Sequence, residues 1–167
     1  VVRRDNIGDL VCTTPLIAAL RARLPHAWLG ALANSYNAPV LERNPDLDEV
    51  FTYRKLKHLE PGQSALAALG ARLGMALRMR RMNLDYALLA TPEFSPRGVR
   101  LARWLGARRV VGFSDGSRAA RALDLSVPLS QVERCHEVQR VFALGAYFGV
   151  DRTIPPPTVI ADPLERE

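Results

Sequence analysis

The sequence has little cysteine, few aromatics and no long apolar run. Cys12 and Cys135 are the only cysteines among 167 residues, too few for a disulfide framework. A reducing compartment is the default reading, and both thiols are expected as small core residues. No apolar stretch approaches the ~20 residues a membrane-spanning helix needs, and no signal-peptide pattern is visible. Aromatics make up 7% and sit mostly in apolar runs. A nucleic-acid surface would interleave them with basic residues, so that class is disfavoured. G-x-G-x-x-G is missing, which argues against hydride chemistry with a nicotinamide cofactor. A Walker A loop is missing too. No His, Cys, Asp and Glu cluster has metal-ligand spacing, so no metal is expected. Internal repeats and low-complexity tracts are absent.

What is present suffices for one domain. Apolar residues make up 48%, enough for a core. Lys plus Arg number 23 against 17 Asp plus Glu, giving a net charge of +6. Such a surface attracts phosphates, acidic lipids or nucleic acid. The excess is mostly arginine, whose planar fork suits phosphate and carboxylate.

Strand and helix patterns alternate along the chain. Val1 to Arg4 reads as the stump of a buried strand. Helical spacing then runs from about Asp9 to Arg23, interrupted by Pro15. Either the helix kinks there, or a short turn precedes a helix capped by Thr14. "HAWLGALAN" contains a strand, "APVLERNPDLD" one or two helical turns, and "EVFTY" (Glu49 to Tyr53) the next strand. After a basic loop, Ser64 caps a helix reaching Arg81. "YALLA" and "RRVVGF" are strands on either side of a helix that begins near Pro96. "ALDLSVPL" is extended, and a long helix spans Val132 to Val150. The prolines of "DRTIPPPTV" then make a stiff linker. This alternation predicts an α/β fold, a Rossmann-like parallel sheet with helices on both faces. The chain starts without methionine, and "IADPLERE" reads as a helix just beginning, so it is read as a piece of something longer.

The first βα turn, "RRDNIGDLVCTTPLIAAL" (Arg3 to Leu20), is crowded with function-bearing side chains. Asp5, Asn6, Gly8 and Asp9 fall within five residues. In open α/β sheets ligands bind at the carboxyl ends of strands, often at this turn. From the residues alone, Asp9 is either a helix cap or a catalytic group.

The stretch Ile7-Gly8-Asp9 followed by Thr13-Thr14-Pro15 resembles the opening of glycosyltransferase family 9, the lipopolysaccharide heptosyltransferases and their relatives. "NPDLDEVFTY", "LGARRVVGF" and "HEVQRVFALGAYFGV" are similar to later family segments, although only the first turn is of motif grade. The resemblance implies the N-terminal half of a GT-B enzyme: residues 1–152 as the acceptor-binding domain, residues 153–167 as linker and start of a donor-binding domain. It implies inverting transfer of heptose or a related sugar from a nucleotide-sugar of the ADP-heptose kind. The donor would be held mainly by the second domain, so this piece alone is expected to be inactive. The acceptor would be a lipid-linked phosphorylated saccharide of the lipopolysaccharide-core type. The enzyme would be cytoplasmic, peripheral to the inner membrane, with no further cofactor and no nucleic-acid partner.

Carried onto this sequence, the resemblance makes Asp9 the base that takes the acceptor hydroxyl's proton. Gly8 would let the backbone approach the ligand, and Thr13, in the same matched stretch, would be a further acceptor contact. Asp5 and Asn6 stand where some relatives carry small hydroxyl residues. Asp5 either orients the acceptor or holds the turn, and Asn6 donates either to the acceptor or to the turn itself. Arg54, Lys55, Lys57 and His58 follow one strand directly, and Arg118 and Arg121 follow another. The resemblance makes them a grip on acceptor phosphates, with a solvated basic loop as the plainer reading. His136, beside Glu137, is either a ligand contact or a structural hydrogen-bonder at a helix start. The runs "RMRR" (Arg78 to Arg81) and "ARR" (Ala107 to Arg109) face either solvent or an anionic membrane. The rival function class is a non-catalytic Rossmann-like module that binds an anionic ligand.

Overall fold

The structure, a computed structural model, describes residues 1–53 and 65–160. Five strands are assigned: β1 (Gly30–Asn34), β2 (Glu49–Tyr53), β3 (Tyr86–Leu88), β4 (Arg109–Ser114) and β5 (Leu125–Pro128). All pairings are parallel, β1 with β2, and β3 with β4 and then β5. The stump at Val2 joins the two sets by parallel bridges to Leu32 and Leu89. Backbone bonds from Val2 N–H to Leu88 (2.7 Å) and from Arg3 N–H to Leu32 (3.1 Å) stitch it in place. The spatial order is therefore β2, β1, stump, β3, β4, β5. The chain moves one way from the central stump, then returns and moves the other way. The crevice at the stump's carboxyl end is the switch point where doubly wound folds place ligands.

Side-chain alternation splits the core into two layers, as the period-two geometry of strands requires. On one face Leu32, Phe51, Ala87, Leu89 and Val110 meet Ala76 and Met79 of α3 (Ala65–Arg81) and Val99 and Ala102 of α4 (Pro96–Trp104). On the other, Leu88, Ala90, Val111, Phe113 and Val127 meet Leu16 and Leu20 of α2 (Thr14–Arg23) and Val141 and Phe142 of α5 (Glu137–Phe142). Ala31 and Ala33 pack with Ile17 of α2 and with Leu10 of α1 (Ile7–Val11).

Of the two readings at Pro15, the structure takes the one with a break before a second helix. The region divides into α1 and α2, with Thr13 rather than Thr14 at the cap position of α2. Pro15 falls in the first turn of α2, where its missing N–H leaves no bond unmade. The hydroxyls of Thr13 and Thr14 donate to the carbonyls of Asp9 (2.9 Å) and Val11 (2.8 Å), satisfying acceptors at the break.

The long helix expected over Val132 to Val150 is shorter. It begins at Glu137, where His136 and Gln139 form a reciprocal cap. It then tightens to a 3-10 helix over Ala143–Phe148 and stops at Gly149, whose φ is +68°. Gly145 lies so close to Leu16 that a Cβ would sit 3.1 Å from it, so only glycine admits this contact without the neighbour giving way. The proposed cap Ser64 lies outside the described residues. Cys12 and Cys135 are free and half-buried rather than core. Beyond Gly149 the chain crosses α2: Ile154 packs on the core and Thr158 N–H donates to Thr14 Oγ1 (2.9 Å).

Candidate active site

The carboxyl end of the sheet at the switch point is organised by Arg3, whose side chain has no exposed surface. The stump carries it into the carboxyl end of the sheet, where it donates to the carbonyl of Ala90 just past β3. Three carboxylates surround it: Glu137 at 2.9 Å, Asp5 at 3.2 Å and Asp9 at 3.3 Å. A guanidinium withdrawn from water needs such partners, because a buried unpaired charge costs several kcal/mol. The contacts from Nε and Nη2, to Asp5 and Asp9, are charge contacts without hydrogen-bond alignment. One cation thus ties together the stump, the first turn, the exit of β3 and the start of α5.

The carboxylates are held unequally. Asp5 Oδ1 accepts from Arg4 N–H (2.9 Å) while Oδ2 faces Arg3 Nε, so both oxygens are engaged by the turn. Asp9 has looser contacts, Oδ1 to Arg3 and Oδ2 to Asn6 Nδ2, each at 3.3 Å. Its side chain is 30% exposed, the most open of the three. Asp9 is also the third residue of α1, and no backbone cap bond to it is made among the described residues. Its carboxylate is thus free to exchange a long Asn6 contact for a ligand hydroxyl. The geometry favours Asp9 over Asp5 as a proton acceptor.

Two buried asparagines, absent from the sequence reading, shape the turn. Asn34, ending β1, and Asn37 exchange reciprocal bonds, each N–H donating to the other's Oδ1 at 3.0 Å. Their amide groups then donate to the carbonyls of Arg4 (3.0 Å) and Asp5 (3.1 Å). The irregular backbone between stump and α1 is satisfied this way, which fixes where Asp9 points. The signal was visible in "NSYN", since paired asparagines after a strand are turn formers.

The other expected site residues divide. Gly8 is exposed, and a Cβ there would meet nothing within 4 Å. Neither its backbone nor its neighbours demand glycine, so the space beside it is open. Asn6 is exposed, with its amide on Asp9. Thr13 is fully buried with its hydroxyl on a backbone carbonyl, which corrects its expected role as a ligand contact. His136 is exposed, and its Nδ1 accepts from Val138 N–H (3.3 Å), the structural alternative at that position. Its neighbour Glu137 takes the inward position. Arg118 is exposed after β4, at the ligand end of the sheet. Arg54, Lys55, Lys57 and His58 lie outside the described residues. Cys12 is drawn into the same neighbourhood. Burial first, then the carboxylates of Glu137 and Asp9, push its thiol up against the opposing pull of Arg3. A thiol held protonated is a poor nucleophile. Among the described residues no group of His, Cys, Asp or Glu is placed to hold a metal ion.

No family model matches the sequence, and no curated protein does. Solved structures do. A glycosyltransferase family 9 protein of Veillonella parvula superposes with a TM-score of 0.74 at 19% identity, over 95% of this chain and 43% of that one. The E. coli ADP-heptose lipopolysaccharide heptosyltransferase II gives 0.66 at 19% identity, over 98% and 47%. The E. coli heptosyltransferase WaaC with ADP gives 0.73 at 15% identity, over 91% and 48%. The chain therefore spans a little under half the length of these structures. At such identities the likeness shows the fold alone: an α/β unit of the kind that makes up a little under half of each of these glycosyltransferase structures.

Proposed function

We propose that this chain is the acceptor-binding part of an inverting glycosyltransferase, with Asp9 as its base. The observation that carries the reading is the state of Asp9. It stands at the switch point, 30% exposed, charge-paired with a fully buried Arg3 and held by no short hydrogen bond. An acceptor hydroxyl placed against it loses its proton to the carboxylate as its oxygen attacks the anomeric carbon. The bond from that carbon to the donor's phosphate oxygen breaks on the opposite side, and the nucleotide leaves with its electron pair. Proton removal of this kind contributes typically ~10²- to 10⁴-fold. Open space beside Gly8 gives the acceptor room, and Asn6 is placed to donate to it.

The donor is a nucleotide-sugar of the ADP-heptose kind, the sugar nucleotide for which one structural neighbour is named, while another was solved with ADP. It would be held mainly outside this chain. The acceptor is a phosphorylated, lipid-linked saccharide, its anionic groups met by Arg118 and by the basic residues Arg54, Lys55 and Lys57 that follow β2 in sequence. An enzyme with such an acceptor works in the cytoplasm against the inner membrane.

The test is a transfer assay on the protein as its gene encodes it, with nucleotide-sugars crossed against phosphorylated saccharide acceptors. Transfer by the natural protein, lost in Asp9→Asn with donor binding retained, supports the reading. Undiminished turnover in Asp9→Asn removes Asp9 as base. Tight binding of anionic saccharides with no transfer from any donor favours the non-catalytic module instead.

A further inference from the structure

We propose that the outward face of α3 and α4 docks on an anionic lipid surface. Both helices lie against the same face of the sheet, where Ala76 and Met79 of α3 and Val99 and Ala102 of α4 join one core cluster. Arg80 Nη1 donates to Trp104 O at 2.6 Å, which ties the end of α3 to the end of α4. Their other sides hold an unusual combination. Leu69, Leu73 and Leu77 are 48%, 46% and 55% exposed at i, i+4, i+8 spacing, and Trp104 is 45% exposed. Exposed leucines at that spacing form one stripe along a helix. Gly70 and Gly74 lie beside the stripe with open space around them, so nothing in the described chain covers it.

Charge identifies the occupant. The two helices contain seven arginines and no carboxylate. The whole chain is +6 and these helices are +7, so the remainder nets −1. The entire positive surplus thus sits on one pair of adjacent helices. Arg78 and Arg103 are paired with Glu49 and Asp124 from neighbouring elements. Arg81, Arg97 and Arg100 are exposed.

Leucines and a tryptophan among arginines suit a membrane interface: apolar groups enter the acyl boundary while guanidinium groups meet phosphate headgroups. Nucleic acid offers the arginines the same phosphates but gives the leucines nowhere to go. The placement also fits the site. α3 returns the chain from the carboxyl end of β2 to the amino end of β3, so its Leu69 end lies at the same end of the sheet as Asp9. The surface itself stands on these observations and does not require the reading of Asp9.

The experiment is cosedimentation of the gene-length protein with phosphatidylcholine vesicles, with and without phosphatidylglycerol. Three variants are compared: Arg81→Gln/Arg97→Gln/Arg100→Gln, Leu73→Gln/Leu77→Gln, and Asp9→Asn. All alter side chains at least a third exposed or nearly so, so circular dichroism should match the natural protein. Expected are binding that requires phosphatidylglycerol, a loss of about fivefold per arginine removed, weaker binding in the leucine pair, and full binding in Asp9→Asn. Retained binding there, whatever its transfer activity, separates this surface from the catalytic reading. The proposal fails if the arginine triple variant binds as well as the natural protein. It fails equally if vesicles bind nothing while single-stranded RNA is retained, or while a concentration-dependent dimer forms that Leu73→Gln/Leu77→Gln abolishes.

Discussion

Arg3 has no exposed side-chain surface and lies among Asp5, Asp9 and Glu137, whereas Arg81, Arg97 and Arg100 stand in solvent on helices that carry no carboxylate. The residue type is the same and the physical consequences are opposite. A buried guanidinium must be neutralised by its own chain, so its geometry becomes part of the fold and positions whatever pairs with it. An exposed one is already satisfied by water and keeps its charge available for a partner. The first arrangement makes a site, and the second makes a surface.

The comparison is sharpest at Asp9, whose contact with Arg3 should matter for chemistry rather than stability. Asp9→Asn is expected to lower transfer by about 10²- to 10⁴-fold while donor affinity and melting temperature stay near those of the natural protein. A variant that unfolds instead would make Asp9 a structural partner of Arg3. Next in size is Arg3→Met, expected to cost about 3 kcal/mol in urea unfolding. That is the lower end for a buried pair, because the three stranded carboxylates are 21% to 30% exposed and can rehydrate. The same measurement on Arg81→Gln should give a change within about 0.5 kcal/mol. Similar costs at the two positions would erase the distinction drawn above.

Smaller again is Asn37→Ala, which removes an amide donor to Asp5 and an acceptor for Asn34. A loss of about 1–2 kcal/mol is expected, with transfer falling more than stability because the turn no longer fixes Asp9. Activity unchanged at reduced stability would show that the asparagines support only the fold.

Least in size is a pH effect at a half-way case. Arg21 is partly buried and pairs with Asp48, whose carboxyl is held below its usual range by the Leu29 N–H first and by Arg21 second. Its folded pKa lies below the unfolded value of 3.8, so its stabilisation is complete above that value. It fades as pH falls through the lower, folded one. Asp48→Asn should therefore flatten the acid limb of the stability curve below about pH 4 and leave neutral-pH cooperativity intact. An unchanged acid limb would assign the effect to other carboxylates.

Much of the fold was readable because it rests on local pattern. β2 matches the expected strand over Glu49–Tyr53, and α4 begins at Pro96 behind a Ser95 cap. Both signals come from residues adjacent in sequence: apolar alternation in one, a capping side chain and Pro in the other. The long helix was overextended because apolar spacing persists through Val132–Val150 regardless of where the chain winds tightly. His136 sets the start at Glu137 through local bonds with Val138 and Gln139, whereas the packing of Gly145 against Leu16, just past the end at Phe142, depends on a three-dimensional neighbour. Within the candidate site, Asp9, Asn6 and Gly8 stand out in the sequence because they share one turn. In sequence Arg3 reads as the end of a strand, because its carboxylate partner Glu137 is distant along the chain and adjacent only in the fold. The same holds for the asparagine pair, whose bonds to the carbonyls of Arg4 and Asp5 come from the end of β1 and the turn after it.

By itself the sequence determined the alternation of strand and helix, the position of the crowded first turn and the segregation of arginine, because each is a property of neighbours along the chain. Only the tertiary structure decided that Arg3 is buried and that Asp9 is the loosest of its three carboxylates. It also decided that two arginine-rich helices stand side by side. Burial and charge pairing depend on what the folded sheet brings within a few ångströms, and that distance is not written in residue order.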